Sequence, residues 1–261
     1  MHNVHIDHSE NIIKERMSKI KNKIVVISNK GGVGKSTISV LISLALSKKG
    51  YKVGILDSDI HGPSVAKMMG IEGIPLQVKD ENNVEPILKE GIKIVSMGSI
   101  VPETDKALIW RGPIKMTVIK QFLSDFEWGD LDYLIIDLPP GTGDEPLSIC
   151  QYIKEISGAV VVTTAQKISM LDVSKAIDFL NKLNIKIYSV IENMSEFVCP
   201  HCGKTSKLFY SKEDVYQKLN GLKVVKIPFY SDVMEKLDEG KSFSAFENRE
   251  ELLNKILSIF D

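Results

Sequence analysis

Cysteine is scarce in this chain: Cys150, Cys199 and Cys202 are the three thiols among 261 residues. So small and odd a number excludes a disulfide framework and fits a reducing compartment. Neither sign of charge is in excess, with 33 Lys and Arg against 34 Asp and Glu and a formal net charge of -1. Nothing global therefore draws the protein to nucleic acid or to an anionic membrane. Also missing are an apolar run long enough to span a bilayer, an N-terminal apolar stretch followed by small residues of the secretory kind, any internal repeat and any low-complexity tract. These absences lead us to expect a cytoplasmic protein, with no nucleic acid and no membrane among its partners. The length suits one α/β domain with a full core.

What is present is βα alternation. Short β-branched runs (KIVVIS, KVGILD, DYLIID, SGAVVVTT, IKIYSVIEN, LKVVKIP) are separated by longer amphipathic stretches. Continuous Val/Ile runs indicate strands covered on both faces, so the predicted fold is a mostly parallel central sheet flanked by helices. Residues 1–22 are polar with a weak helical pattern and read as a flexible N-terminal arm, with 23–261 as a single domain. His2, His5 and His8 in the arm sit three apart, but no nearby Cys or carboxylate pair completes a metal site. Two regions interrupt the alternation: one from about Gly70 to Pro113, containing the strand candidate IKIVSMG, and an insertion near 194–222 that carries CPHCGKTSKLF.

The strand IVVIS runs into NKGGVGKST and then into an apolar helix, the context a phosphate loop requires. Gly31, Gly32 and Gly34 let the backbone curl its N–H groups toward phosphate oxygens, and the helix start adds its positive dipole end. Val33 continues that cradle. Lys35 supplies charge between the β- and γ-phosphates of ATP, Ser36 is the expected Mg²⁺ ligand, and Thr37 falls nearer the α-phosphate. Asn29 stands where the usual pattern has Gly; its tolerance of left-handed backbone is expected to let the loop close. The next strand ends in LDSDIHGPS, placing Asp57 and Asp59 at the sheet edge where ligands bind. Asp57 is assigned to the metal side and Asp59 to orienting the attacking water. DYLIID ends in Asp137, expected to hold Mg²⁺ through water. The Gly141 N–H in the following PPGTG is placed to sense the γ-phosphate.

KGGVGKST, LDSDIHGPS, WRGP, DLPPGTGDEP and IENMSEFVCPHCG occur together and in order, and in this the chain resembles the Mrp/ApbC group from about Lys23 to Asp261. Those proteins are deviant Walker A ATPases related to MinD, ParA and the nitrogenase iron protein, regarded as iron-sulfur cluster carriers. The resemblance implies that Lys30 reaches across a homodimer to the partner's phosphates. It also implies that Asn193 reads the adenine edge, that Pro228 begins the loop beside the base, and that ATP hydrolysis is slow and serves transfer of a cluster to apo iron-sulfur proteins.

Cys199 and Cys202 can place two thiolates on one metal centre, yet Zn²⁺ or a [4Fe-4S] cluster generally takes four ligands. The resemblance implies that two subunits each donate the pair. A bridging Zn²⁺ and a redox dithiol stay open as alternatives. Cys150 reads as a small buried hydrophobe. Competing functions are a MinD/ParA-like positioning switch and a nucleotide-dependent electron donor. Against the first, the C-terminal ENREELLNKILSIFD has apolar residues at helical spacing, but its charges are mostly acidic, unlike a basic membrane anchor.

Overall fold

The computed structural model describes residues 8–59, 62–80, 83–96, 112–166, 169–209, 219 and 221–261. Its frame follows from which strands are apolar on both faces. β8 (Gly158–Thr164) is buried at every position, and β1 (Ile20–Ile27) and β7 (Leu131–Asp137) beside it are buried over their last four or five residues; the three lie side by side at the centre. They sit in a nine-stranded sheet with β2 (Val53–Asp57), β5 (Ile87–Lys89), β6 (Ile92–Ser96), β9 (Ile187–Val198), β10 (Thr205–Ser206) and β11 (Val224–Phe229), in the order β10-β9-β8-β1-β7-β2-β6-β5 with β11 also paired to β9. All pairings are parallel except those of β5 and β10. A separate hairpin, β3 (Gln77–Asp80) with β4 (Asn83–Glu85), falls in the region predicted to interrupt the alternation. The IKIVSMG candidate forms β6.

Alternate residues of β1 feed two cores. Ile24 and Val26 face α2 (Lys35–Lys48), α3 (Val65–Met68), α7 (Ser231–Asp238) and α8 (Glu250–Leu257). Val25 and Ile27 face α1 (His8–Ser18), α4 (Gly112–Asp125), α5 (Asp144–Ile153) and α6 (Ser169–Lys182). This two-sided burial is what a parallel sheet demands. α2 is buried nearly all round, from Ile38 to Leu46, because the sheet covers one flank and α8 packs on it from another. Leu252, Ile256 and Ile259 spend the apolar face of the C-terminal segment on this core, so the helical spacing there serves packing.

Residues 1–7, with His2 and His5, lie outside the described residues, as do Trp110 and Arg111 of WRGP. From His8 onward, however, the expected flexible arm is α1, docked between α4 and α5 with Ile13 and Met17 buried, and Ile20 already belongs to β1. Lys23 fastens this join: its ammonium, 4% exposed, donates to Met17 O (3.3 Å) in the last turn of α1 and to Ile20 O (3.4 Å) at the start of β1. Burial lowers its pKa.

Candidate functional site

The chain leaves β1 at Ser28 and curls into α2, with positive φ at Gly32 (79°) and Gly34 (85°). A Cβ on Gly34 would collide with the Asn193 amide, so this position needs glycine for space as well as for conformation. Asn29 does not take the left-handed angle expected of it. Instead its Nδ2 donates to Asp172 Oδ1 (2.8 Å), tying the loop to α6.

The loop bounds a cleft of about 220 Å³, lined by Lys30, Gly31, Gly32, Gly34, Lys35, Ser36 and Thr37 on one side and by Asp59, Gly62, Ser64 and Pro140 on the other. Val33 turns its side chain into the core. Lys30 is exposed at the mouth. Thr37 also lines a second, mostly apolar cleft, with Asn193, Met194, Pro228, Phe229 and Tyr230. The two clefts therefore meet at the start of α2.

Beneath the phosphate loop lies a buried charge cluster. Lys35 Nζ pairs with Asp137 Oδ2 at 2.8 Å, with both side chains almost wholly buried. Ser36 Oγ donates to the same oxygen (2.5 Å) and Ser39 Oγ to Asp137 Oδ1 (2.7 Å). Ser39 escaped the sequence reading, although a serine one turn after Lys35 in a helix buried all round is a legible signal.

Asp57 corrects an expectation. It does not line the cleft. It is fully buried beside Asp137, its in-register neighbour, and accepts from Ser96 Oγ (2.9 Å), Val65 N–H (3.2 Å) and Asp59 N–H (3.2 Å). Asp59, in contrast, lines the cleft and accepts from the Gly62 N–H (3.2 Å). Burial, then Asp137, push the Asp57 carboxyl up to about 7, against the lowering pull of Lys35 and Ser96. An acid with a raised folded pKa binds more protons folded than unfolded, so stability falls as pH rises from the ordinary 3.8 through about 7. In the presence of a chelator, the chain is expected to lose unfolding free energy across that window, and the Asp57→Ala chain to lose less. Equal slopes in urea titrations would remove Asp57 as the cause.

Two buried carboxylates thus face one ammonium, and Ser36 Oγ sits against Asp137. This donor set fits Mg²⁺ at Ser36 and Asp137, with Asp57 behind them. The Gly141 N–H does not point into the cleft: it donates to Ser28 O at 2.8 Å, a bond that must break before it can meet a phosphate.

The cysteine pair departs from its predicted setting. β9 does not stop at Asn193 but continues to Val198, and Cys199–Gly203 forms the turn of a hairpin with β10 rather than an irregular insertion. Cys199 N–H donates to Lys204 O (3.0 Å) and Gly203 N–H to Cys199 O (2.9 Å). The Cys202 and His201 backbone N–H groups, then the Cys202 side chain, bond the Cys199 thiol and hold its pKa below the usual thiol value. Among the described residues, no third His, Cys, Asp or Glu joins the pair in a metal-binding group. Cys150 is buried in α5, as expected, and burial pushes its pKa up to about 12. Iodoacetamide near pH 8 should label Cys199 within minutes and Cys150 only after unfolding, because the thiolate is the nucleophile. Labelling of Cys150 in the folded chain, read by peptide mass spectrometry, would contradict this.

A sequence profile of the ParA family, described as the NUBPL iron-transfer P-loop NTPase, matches residues 19–261. A protein named iron-sulfur cluster carrier protein from Methanocaldococcus jannaschii is 52% identical over 197 residues, covering 76% of this chain and 68% of that one. Among solved structures, a nucleotide-binding protein from Archaeoglobus fulgidus, in complex with ADP and with Co, is 37% identical with a TM-score of 0.77, over 91% of this chain and 96% of that one. The septum site-determining protein MinD of Pyrococcus horikoshii, complexed with Mg-ADP, shares the fold at 20% identity and a TM-score of 0.65, over 91% and 93%. No helix among the described residues is long and apolar enough to cross a membrane.

Proposed function

We infer the function from family membership: the chain belongs to the NUBPL iron-transfer P-loop NTPase family. It is an iron-sulfur cluster carrier that binds and slowly hydrolyses ATP, working as a homodimer in the cytoplasm and passing a [4Fe-4S] cluster to apo iron-sulfur proteins. The observation that carries this reading is the Cys199–Cys202 turn, an exposed knuckle whose N–H groups stabilise thiolate and which offers two ligands where a cluster takes four. A second copy supplies the other two. The same donors suit Zn²⁺, which keeps a zinc-bridged dimer as the second reading. A membrane-positioning switch is disfavoured because the apolar face of α8 is committed to the core.

The residues divide the work as follows. The phosphates of ATP lie along Lys30–Thr37, with Lys35 exchanging Asp137 for phosphate oxygens, and the base lies against Asn193 and Pro228. Mg²⁺, held by Ser36 and Asp137, supplies charge neutralisation on the phosphates when bound. Asp59, on the cleft wall, orients the attacking water. Lys30, at the mouth, reaches the phosphates of the second copy and neutralises charge there, much as an arginine finger does. In light scattering, Mg-ATP should convert the chain to a dimer and leave Lys30→Ala largely monomeric, with the variant's hydrolysis reduced by about 10³-fold. A Lys30→Ala chain that dimerises and hydrolyses like the parent would remove this role.

A further inference from the structure

β9 keeps strand conformation from Ile187 to Val198, yet its two halves have different neighbours. Up to Asn193 it is clamped on both sides, ending at the pairs Thr164↔Asn193 with β8 and Ile227↔Asn193 with β11. Beyond that point Phe197 and Val198 pair with β10, and β11 rejoins at Phe229↔Phe197. The register shifts in between: β9 advances from Asn193 to Phe197 while β11 advances only from Ile227 to Phe229. That is a bulge, a device that re-aims a strand and is enriched beside active sites. Its first residue, Met194, has φ 54°, a region that side chains rarely occupy.

Each half is fastened to a different functional element. On the inner side, Asn193 Nδ2 donates to Val33 O of the phosphate loop (2.9 Å, buried), and Asn193 and Met194 together fill the space beside Gly34. Both also line the apolar cleft. On the outer side, the turn carrying Cys199 and Cys202 grows directly out of Val198, and the Phe197 ring packs tilted against Phe229 with ring centroids 6.3 Å apart. The element between these two bodies is Met194–Glu196, for which β8, β10 and β11 supply no register partner.

We propose that this bulge is a hinge coupling the two sites, with Asn193 as the positioning residue that reports the state of the phosphate loop to the cysteine turn. The inference rests on the proposed function in taking the loop as the nucleotide site and the cysteines as the cargo site. Nucleotide entering the clefts competes with Met194 for space and alters the Val33–Asn193 contact. The displacement is delivered to Cys199 because the strand beyond the bulge moves as one piece with its hairpin. Nucleotide shifts the hinge by as much as it favours one arrangement over the other.

The test uses the full chain with no iron or zinc on its thiols, following iodoacetamide alkylation of Cys199 and Cys202 with and without Mg-ATP, and following nucleotide affinity separately with a fluorescent ATP analogue. In the parent, Mg-ATP is expected to change the alkylation rate by about fivefold or more. Ser195→Gly combined with Glu196→Gly loosens the bulge at two residues that line neither cleft, and should reduce that change to under about twofold while affinity is unchanged. Met194→Gly, which relieves the left-handed angle, serves as a second variant; because Met194 lines the apolar cleft its nucleotide affinity is free to change, and it should show the same loss of thiol dependence at saturating Mg-ATP. Parent-like nucleotide dependence in both variants overturns the hinge, as does a parent whose thiol rates ignore bound nucleotide. Because these thiols carry no cluster, a failure of cluster loading leaves the readout intact, and the two failures are distinguishable.

Discussion

Lys35→Ala is expected to abolish ATP hydrolysis, lowering the rate by at least about 10³-fold, and to destabilise the fold by about 3 kcal/mol. The two effects have separate causes. Hydrolysis fails because the charge we assign to the phosphates is gone. Stability falls because Lys35 also neutralises Asp137, wholly buried at 2.8 Å from its ammonium, and removing one partner of a buried pair strands the other charge. Ser36 and Ser39 still donate to Asp137 and limit the damage. Adding Asp137→Asn to Lys35→Ala removes the stranded charge, so the double variant should regain much of the stability and none of the hydrolysis. Urea unfolding alongside steady-state phosphate release reads both. A Lys35→Ala chain as stable as the parent would mean that the pair seen beneath the loop does not hold in solution.

The phosphate loop was legible in the sequence because its chemistry lies in consecutive residues that must bridge a strand and a helix. The central strands were legible because burial on both faces leaves unbroken Val and Ile. Three features were not, each for a physical reason. α1 is polar on most of its surface and docks through a few side chains such as Ile13 and Met17, too few to give a strong period. Asp57 and Asp59 look alike at a strand end, but Ser58 N–H and Oγ both bond Asp137 O, fixing the chain so that one carboxylate goes under the loop and the other onto the cleft wall. β9 looked finished at Asn193 because Met194, Ser195 and Glu196 are poor strand formers as a run. The hairpin with β10 carries it on to Val198, so the cysteines sit at the end of the strand that touches the phosphate loop.

The second large effect concerns those cysteines. Replacing both Cys199 and Cys202 by alanine should eliminate cluster loading while leaving the fold intact, because Cys199 is only partly buried, Cys202 is exposed and neither lies in a core cluster. Hydrolysis should persist, since the buried Lys35–Asp137 site gains nothing directly from the thiols. Loss of both activities together would point instead to a folding defect, which the melting temperature would expose.

The measurement that bears most directly on the carrier reading is anaerobic reconstitution with iron and sulfide, comparing the parent with the Cys199→Ala, Cys202→Ala chain. The parent should gain broad visible absorption around 400 nm, with about two iron atoms per chain if one four-iron cluster bridges two copies, and the double variant should gain neither. A parent that stays colourless, or a double variant that colours equally, contradicts the account. Retention of zinc at about one atom per two chains would in that case favour the zinc-bridged dimer.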